Sequence, residues 1–310
     1  MSYASCHRDS VGDRPFGKPK TLFGYDVIDV LGAGAGSELY AVSDPTTGQL
    51  YALKHVTVRE PKDERFMKQL EAEYEIGRCL THPGLRRCVD LKVVRSLLRK
   101  PIEAALVMEL FDGASFEFVM PGAYPEITRL FIDVAEALDA LHKAGFAHCD
   151  IKPGNILRAG DGQIKIIDFG QACRIGTAKD RIQGTPDFIA PEQVRCSTCT
   201  VRTDVYSFGA TLYWALCRKK VPTLYTVQQS RGGLLLDDRI PSPHELKPSV
   251  PERLSNLVME CVRTNPQRRP ASMADVARRL EVLHFAMTHT PVATSEMPDL
   301  DDTCMNVAVA

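Results

Sequence analysis

The sequence predicts an α+β fold in two lobes, a small lobe rich in antiparallel β-strands followed by a larger, mainly helical lobe. Short runs that alternate between apolar and polar residues crowd residues 22–110, and longer runs with helical periodicity fill residues 112–286. A break at Phe111-Asp112-Gly113 separates the two regions. Because clefts between lobes are favoured ligand sites, we expect the functional residues to lie near this break.

The small lobe is predicted to open with an antiparallel meander. A strand at residues 25–31 is followed by a glycine-rich turn at residues 32–36 and by two more strands. Phe66, Leu70 and Tyr74 recur at three-to-four spacing and indicate a helix over residues 63–80, which Pro83 and Gly84 end. The predicted strands cover residues 25–31, 38–43, 49–56, 88–94 and 104–110.

The second region is predicted to be mostly helical. An amphipathic pattern with Leu130, Val134, Leu138 and Leu141 on one face supports its first helix. The irregular stretch at residues 170–189 is long, and long loops inside compact domains are commonly functional. The predicted helices cover residues 127–144, 201–217, 251–264 and 273–285.

Composition and charge narrow the class of protein. Hydrophobic residues make up 44% and charged residues 25% of the 310, so a sizeable core can form. The net charge of −1 gives no indication of binding to nucleic acid or to an anionic membrane. No apolar run approaches the roughly 18–20 residues that span a bilayer, and residues 1–20 lack the apolar stretch of a secretory signal. We expect a cytoplasmic protein, and the sequence does not indicate an oligomeric state.

The two ends differ from the rest of the chain. Residues 1–21 are polar without periodicity, and residues 287–310 consist mainly of Thr, Pro, Asp and small residues. We interpret the first as a flexible tail and the second as a disordered one. One domain at 22–286 remains, with lobes at 22–110 and 112–286.

Two acidic motifs indicate chemistry on a phosphate. Asp150 stands five residues before Asn155, where a carboxylate can accept a proton from an attacking hydroxyl and an amide oxygen can bind Mg²⁺. Asp168, thirteen residues later, ends a predicted strand and is a suitable ligand for a hard cation. A polar turn and an ordinary strand-end aspartate are the alternative interpretations.

A glycine run and a lysine add to this pattern. Because the run at residues 32–36 lies between two strands, it does not fit the strand-to-helix dinucleotide fingerprint. A glycine hairpin can instead lie close over phosphates, since no Cβ blocks the approach; a flexible turn is the alternative. Lys54 closes the third strand, and Glu73 on the next helix is a candidate carboxylate partner, although surface lysines are common.

In this order the elements resemble the protein kinase superfamily over residues 22–285, most closely the Ser/Thr kinases and to some extent the eukaryotic-type kinases of bacteria. Further motifs of that family match at Gly184–Glu192, Asp204–Gly209 and Asn265–Pro270. The resemblance implies the bilobal protein-kinase fold, with ATP, a protein substrate, and Mg²⁺ or in its place Mn²⁺. It also implies a salt bridge between Glu192 and Arg269.

The resemblance implies a role for each matching residue. Asp150 is the catalytic base, Lys152 steadies the γ-phosphate, and Asn155 and Asp168 hold the metal. Lys152 and Thr185 are typical of Ser/Thr specificity.

The remaining implied roles concern the nucleotide. Lys54, paired with Glu73, grips the α- and β-phosphates, Met108 is the gatekeeper, and the backbone of Glu109 and Phe111 binds adenine. The implied nucleotide-binding residues are Leu31, Gly32, Ala33, Gly34, Ala35, Gly36, Ser37, Leu39, Ala52, Lys54, Met108, Glu109, Phe111, Leu157 and Asp168.

Three positions depart from the family pattern. Ser37 replaces the third loop glycine, and Gly36 is expected to supply the flexibility instead. Cys149 replaces an arginine that commonly pairs with a phosphorylated activation loop, so we hypothesise that phosphorylation at Thr177 is not required for activity. Gly77 replaces a large apolar residue, which leaves a gap that local repacking or a partner must fill.

The ten cysteines are scattered. Cys196 and Cys199 have metal-like spacing, which without a second such pair is a weak zinc indication beside a pair of reduced loop thiols. Cys149 and Cys173 flank the predicted cleft, as a redox pair or as buried inert thiols.

Two other functions compete with an active protein kinase. A pseudokinase-like scaffold, or a partner-regulated kinase with low intrinsic activity, would need a catalytic group to be missing or misplaced. A small-molecule phosphotransferase would share the loop from Asp150 to Asn155 but lack the segment Gly184–Glu192, which this chain has.

Overall fold

The computed structural model describes residues 19–34, 36–229 and 240–289. It confirms the predicted α+β, two-lobed fold. The predicted tails lie mostly outside the described residues, at 1–18 and 290–310, and so does Ala35.

The small lobe is built on a six-stranded antiparallel sheet in the order β1-β2-β3-β4-β6-β5. All five predicted strands of this lobe are present, and β1 is an addition to the prediction. The strands are β1 (Thr21–Leu22), β2 (Tyr25–Gly34), β3 (Ser37–Ser43), β4 (Leu50–Thr57), β5 (Cys88–Arg95) and β6 (Pro101–Glu109).

The glycine run differs from the prediction. Residues 32–36 were expected to form a turn, but β2 continues to Gly34, with Gly32 paired to Leu39 and Gly34 to Ser37. The strand continues because glycines keep their backbone donors and acceptors available to β3. The hairpin connection is therefore shorter and brings backbone, without side chains, to the edge of the cleft.

One helix, α1 (Glu64–Gly77), packs on the sheet, ending three residues before the predicted limit. Successive side chains of a strand point to opposite faces. Ala52 and Val56 of β4 belong to the buried cluster that includes Met67 and Leu70 of α1, whereas Leu53 belongs to the cluster on the other face. Lys54 shares the parity of Ala52 and Val56 and so faces α1.

The helical lobe surrounds α5 (Val201–Cys217), which begins and ends at the predicted residues. Thr200 caps its first turn by accepting from the Arg202 amide at 3.2 Å, and Arg218, with φ of +57°, ends it. None of the described helices combines the length and apolarity needed to span a membrane. The described helices are α2 (Phe116–Val119), α3 (Tyr124–Lys143), α4 (Pro191–Val194), α5 (Val201–Cys217), α6 (Leu224–Gln229), α7 (Pro243–Leu246), α8 (Glu252–Cys261) and α9 (Met273–His289).

Two helix ends differ from the prediction for identifiable reasons. Helix α8 ends at Cys261 and not at residue 264, because Arg269 binds the carbonyls of Arg263 and Thr264 at 2.7 and 3.2 Å. Helix α9 continues four residues beyond Phe285, where the Thr288 hydroxyl donates back to the His284 carbonyl at 2.9 Å.

Short strands hold the segment that carries Asp150. Strand β8 (Phe146–Ala147) pairs with β11 (Cys173–Arg174). On the other side, β9 (Ile156–Arg158) lies between β7 (Ala114–Ser115) and β10 (Ile164–Ile166). Residues 148–155 therefore form a loop that is fixed at both ends.

The structure confirms the predicted salt bridge between Glu192 and Arg269. Arg269 Nη1 and Nη2 donate to Glu192 Oε1 and Oε2 at 2.8 and 2.9 Å, and both residues are buried. The Thr203 hydroxyl donates to Glu192 Oε1 at 2.9 Å, and the Arg202 carbonyl accepts from Arg269 at 2.7 Å. The pair thus ties α4 to α5 and to the segment after α8.

We expect Arg269→Ala to lower the free energy of unfolding by about 3–5 kcal/mol, because it leaves the Glu192 carboxylate buried without its partner. Arg278→Ala is the control, since Arg278 and Asp275 form an exposed pair whose loss should change stability by less than about 1 kcal/mol. Urea unfolding of both variants measures the difference. Equal, small shifts would show that the buried pair contributes no more than a surface one.

Candidate active site

The loop from His148 to Asn155 is held by Asp204 of α5. The fully buried Asp204 carboxylate accepts the amide hydrogens of His148 and Cys149, both at 2.7 Å, and bonds His142 Nε2 at 2.8 Å. Burial alone would raise the pKa of Asp204, but the hydrogen bond from His142 and the neighbouring charges hold it below its ordinary value. Asp204 is therefore a stable anion that fixes the backbone next to Asp150.

Asp150 lies in a small hydrogen-bonded group. Its Oδ1 accepts from the Thr185 hydroxyl at 2.8 Å, and its Oδ2 lies 3.1 Å from Lys152 Nζ. Lys152 Nζ also donates to Thr185 Oγ1 at 2.8 Å. Asn155 Nδ2 donates to the Asp150 backbone carbonyl at 2.8 Å and to its Oδ2 at 3.2 Å. The structure thus brings together the predicted base, the lysine, the asparagine and the activation-segment threonine.

The second group joins the two lobes. Lys54 Nζ of β4 lies 2.7 Å from Glu73 Oε2 of α1 and 3.2 Å from Asp168 Oδ1. Burial opposes the charge of Lys54, but Glu73 and Asp168 raise its pKa above its ordinary value. Burial likewise opposes the charge of Asp168, and Lys54 outweighs it and lowers the Asp168 pKa. Both side chains therefore stay charged at neutral pH.

A pocket between the lobes contains most of the predicted nucleotide-binding residues. The large lobe contributes Asn155, Ile167 and Asp168 to its lining, and the small lobe contributes residues of β2, β3 and β4 among others. Arg86 and Ile167 are the lining residues that the sequence did not predict. The lining consists of Gly32, Ala33, Gly34, Ser37, Leu39, Lys54, Glu73, Arg86, Met108, Asn155, Ile167 and Asp168.

The other predicted nucleotide-binding residues lie outside this lining, and their roles stay predictions. Ala52 is buried and is the register partner of Met108 between β4 and β6. Leu31 is exposed on β2, and Glu109 ends β6, where its carboxylate bonds Lys165 Nζ at 2.7 Å. Phe111, Leu157 and Gly36 are the remaining three among the described residues, and Ala35 lies outside them.

Arg86 is the charged lining residue that the sequence interpretation missed. It is only 6% exposed, and its amide hydrogen bonds the Ile166 carbonyl at 3.0 Å. Burial lowers the pKa of its guanidinium, and the negative charge of Glu73 opposes that effect. No alternation marks it in the sequence, because its neighbour Leu85 is buried as well. Arg86 places a second cation in the pocket beside Glu73.

The hairpin has its required glycine at position 36, which explains why position 37 can be a serine. Its φ is +82°, and a Cβ there would lie 2.4 Å from the Phe66 ring of α1. A side chain would thus be strained and would also clash, so the glycine required by this hairpin is residue 36. Ser37 already belongs to β3, where a small side chain is tolerated.

Cys88 fills the space next to Gly77. A Cβ at Gly77 would lie 2.3 Å from Cys88 Sγ and 3.0 Å from Cys88 Cβ. The Cys88 thiol also contacts the Glu73 carbonyl at 3.6 Å. The predicted gap is therefore filled by local repacking between α1 and β5, close to the carboxylate that pairs with Lys54.

The cysteines that lie together in the structure are not the pair that the sequence spacing indicated. Cys199 lies with Cys149 and Cys173, and the Sγ atoms of all three are within 4.8 Å of one another. Cys196, its predicted partner, is not a member of this group among the described residues. Cys149 and Cys173 have free thiols 3.7 Å apart. Hydrogen bonds with the thiols of Cys149 and Cys199 hold the pKa of the Cys173 thiol below its ordinary value.

Comparison with known proteins agrees with this geometry. The protein kinase domain family model matches residues 25–280. The serine/threonine-protein kinase PknK of Mycobacterium tuberculosis is 29% identical over 284 residues, which cover 89% of this chain and 25% of PknK.

Two further relatives match this chain with similar identity and over a similar share of its length. PknB of Mycobacterium leprae, also a serine/threonine-protein kinase, is 26% identical over 91% of this chain and 46% of its own length. The DNA damage-responsive serine/threonine-protein kinase RqkA of Deinococcus radiodurans is 28% identical over 84% of this chain and 40% of its own. The chain thus spans less than half the length of these relatives.

We expect Gly77→Ala to destabilise the protein although alanine favours helices by about 1 kcal/mol over glycine. Overpacking against Cys88 typically costs about 1–3 kcal/mol and should outweigh that gain. Cys88→Ala removes the sulfur, so the double variant should be more stable than the sum of the single changes predicts. Urea unfolding of all four proteins measures this coupling.

The control is Gly122→Ala, because a Cβ at Gly122 would meet nothing within 4 Å. Its combination with Cys88→Ala should be additive. Additivity in the Gly77 pair as well would show that the two side chains do not compete for one volume.

Proposed function

We propose, from the premise that this chain belongs to the protein kinase family, that it transfers the γ-phosphoryl group of ATP to serine and threonine hydroxyls of protein substrates. One observation carries the proposal. A carboxylate, a lysine and a hydroxyl are already bonded to one another at Asp150, Lys152 and Thr185, beside the pocket that contains Lys54, Asn155 and Asp168.

The Thr185 hydroxyl indicates how an acceptor would be bound. It donates to Asp150 Oδ1 at 2.8 Å, which is the contact that a general base makes with the proton it removes. A substrate hydroxyl in an equivalent place would pass its proton to Asp150 as its oxygen bonds to phosphorus and the bond to the ADP oxygen breaks. Lys152 lies 3.1 Å from the same carboxylate and would balance charge on the transferred group.

Lys54 is suited to bind phosphate oxygens because a carboxylate from each lobe stabilises its positive charge. Glu73 orients its ammonium group from α1, and Asp168 does so from the large lobe. The glycine strand continues to Gly34, so backbone can approach the phosphates from above. Adenine would then lie between Ala52 and Leu157, next to Met108 and the backbone of Glu109 and Phe111.

Asn155 and Asp168 fit a magnesium ion by their chemistry. The Asn155 amide nitrogen donates to Asp150, which leaves its oxygen for a cation, and Asp168 uses Oδ1 for Lys54 and Gly170. We assign Asp168 Oδ2 and Asn155 Oδ1 to the ion, since Mg²⁺ prefers carboxylate and carbonyl oxygens. When bound, Mg²⁺, or Mn²⁺ in its place, would neutralise charge on the phosphate oxygens.

The wider setting is also part of the proposal. We infer a single kinase domain at residues 22–286, which the family match at 25–280 supports. A protein substrate and a cytoplasmic location are inferred with it. The near-zero net charge supports a partner that is neither nucleic acid nor an anionic membrane.

We expect Asp150→Asn to lower the turnover number by about 10²–10⁴-fold, because the amide cannot accept the proton. The Asp150→Asn variant should still bind Mg-ATP. The Asp168→Asn variant should lose both turnover and affinity for Mg-ATP. Radiolabelled phosphate transfer and nucleotide titration measure the two effects, with Asp161→Asn in an exposed turn as the control.

This assay also decides between the proposed activity and its competitors. A scaffold without catalytic activity would bind nucleotide yet transfer no phosphate in the wild type. Phosphoamino-acid analysis should find phosphoserine and phosphothreonine, and mainly phosphotyrosine would refute the substrate class. Transfer that persists in Asp150→Asn and Asp168→Asn would identify a contaminating kinase.

Two threonines of the activation segment should behave oppositely. Thr177 is held through its backbone, with its carbonyl accepting from Cys199 at 2.8 Å, so Thr177→Ala should keep turnover within about twofold. Thr185→Ala removes a hydroxyl bonded to two charged groups, each such bond contributing about 1.5–3 kcal/mol, and should lower turnover at least about tenfold. Loss of activity in Thr177→Ala with an intact fold would contradict a kinase that needs no loop phosphorylation.

A further inference from the structure

Three sulfur atoms converge behind the loop that carries Asp150. Cys149 lies in that loop, Cys173 in β11, and Cys199 just before α5. Their Sγ atoms are all within 4.8 Å of one another, and those of Cys149 and Cys173 are 3.7 Å apart. We propose that these three cysteines form a thiolate site for Zn²⁺ that fastens the catalytic loop to β11 and to the segment just before α5.

The spacing of the sulfurs suits the metal. Zinc–thiolate bonds of about 2.3 Å in tetrahedral geometry place the sulfur atoms about 3.8 Å apart. The Cys149–Cys173 pair is already at that separation, and Cys199 needs a shift of about 1 Å at most to match it. Such a shift is within the reach of a side-chain rotation, so the backbone need not move.

The backbone around the sulfurs is held in place independently of them. Strands β8 and β11 pair with Cys173 opposite Ala147, and Ala178 bridges to Thr198. The Cys199 amide donates to the Thr177 carbonyl at 2.8 Å, and its own carbonyl accepts from Gly176 at 2.9 Å. The ligands are therefore pre-positioned, which lowers the entropy that an ion must overcome to bind.

Charge also suits a divalent ion. Three thiolates and Zn²⁺ leave one formal negative charge; the positive charge of Lys179 favours all three thiolates, whereas the Asp204 carboxylate opposes those of Cys149 and Cys173. No histidine or carboxylate of the described residues joins the three cysteines. Three protein ligands leave a fourth position for water or a small ligand. Cys173 is partly exposed, whereas Cys149 and Cys199 are buried, so the open position faces solvent on the side of Cys173.

A disulfide is the competing use of these thiols. Hydrogen peroxide would oxidise the Cys149 and Cys173 thiols to a disulfide, accept their two electrons and two protons to become two water molecules, and leave Cys199 unused. The convergence of a third sulfur, buried at 1% exposure, is what favours metal binding over that pair.

The consequence for regulation rests on the proposed function, whereas the metal site itself does not. Bound metal would hold Cys149, whose φ is +64°, next to Asp150 and would tie down residues 173–179 and 199. The activation segment would then be ordered by a metal ion in place of a phosphorylated residue.

The test uses the full chain, purified reduced and metal-free, and titrated with Co²⁺ and then Zn²⁺. We expect one ion per chain, a thiolate-to-cobalt charge-transfer band, and displacement of Co²⁺ by Zn²⁺. Cys149→Ser, Cys173→Ser and Cys199→Ser should each weaken binding by more than the roughly 10–100-fold that follows loss of an outer-shell partner. Cys196→Ser, the matched control from the same loop, should bind as the wild type does.

A second measurement does not depend on the variants folding. Alkylation of the wild type followed by mass spectrometry should show Cys173 protected by Zn²⁺, with exposed Cys79 labelled equally in both states. Absence of the cobalt band, equal labelling of Cys173, loss of binding in Cys196→Ser, or a Cys149–Cys173 disulfide that excludes the metal would each overturn the proposal. Because metal binding and phosphate transfer are measured separately, an inactive chain that binds Zn²⁺ would refute only the proposed function.

Discussion

The carboxylate of Asp204 lies fully buried at the start of α5, and the position of the catalytic loop depends on it. A buried carboxylate is unfavourable unless its lone pairs are used, and here two amide hydrogens and a histidine ring use them. Those bonds hold Cys149 in a left-handed conformation that costs about 1–3 kcal/mol for a residue with a side chain. Asp150, the next residue, thereby faces Thr185 and Lys152 and not the core.

Buried charges that are held by specific partners also connect the large lobe to the small one. Lys54, Glu73 and Asp168 come from a strand, a helix and a turn. Lys54 Nζ lies 2.7 Å from the Glu73 carboxylate and 3.2 Å from that of Asp168. Burial disfavours the charge of each side chain, and the Lys54 ammonium stabilises both carboxylates against burial and against their mutual repulsion. The closure of the cleft is thus an electrostatic property of three side chains as much as a packing property of the lobes.

Periodicity and motif order predict what depends on local sequence. Helix α5 begins and ends where its pattern does because Thr200 caps it and because it is buried on nearly every side. Asp150, Asn155 and Asp168 were recognisable because their spacing along the chain is characteristic. Arg86 and the grouping of Cys199 with Cys149 and Cys173 were not, because both depend on how distant segments fold together. The glycine run was misinterpreted as a turn since glycine is compatible with turn and strand alike.

The contact between Gly77 and Cys88 has a consequence for how such a sequence can change over generations. The two residues share one volume, so a larger residue at position 77 is acceptable only after position 88 has become smaller. In the opposite order the intermediate carries a clash beside Glu73, the partner of Lys54. The order of substitutions is therefore constrained, and it is the neighbouring Cys88 and not a left-handed backbone that disfavours a side chain at Gly77.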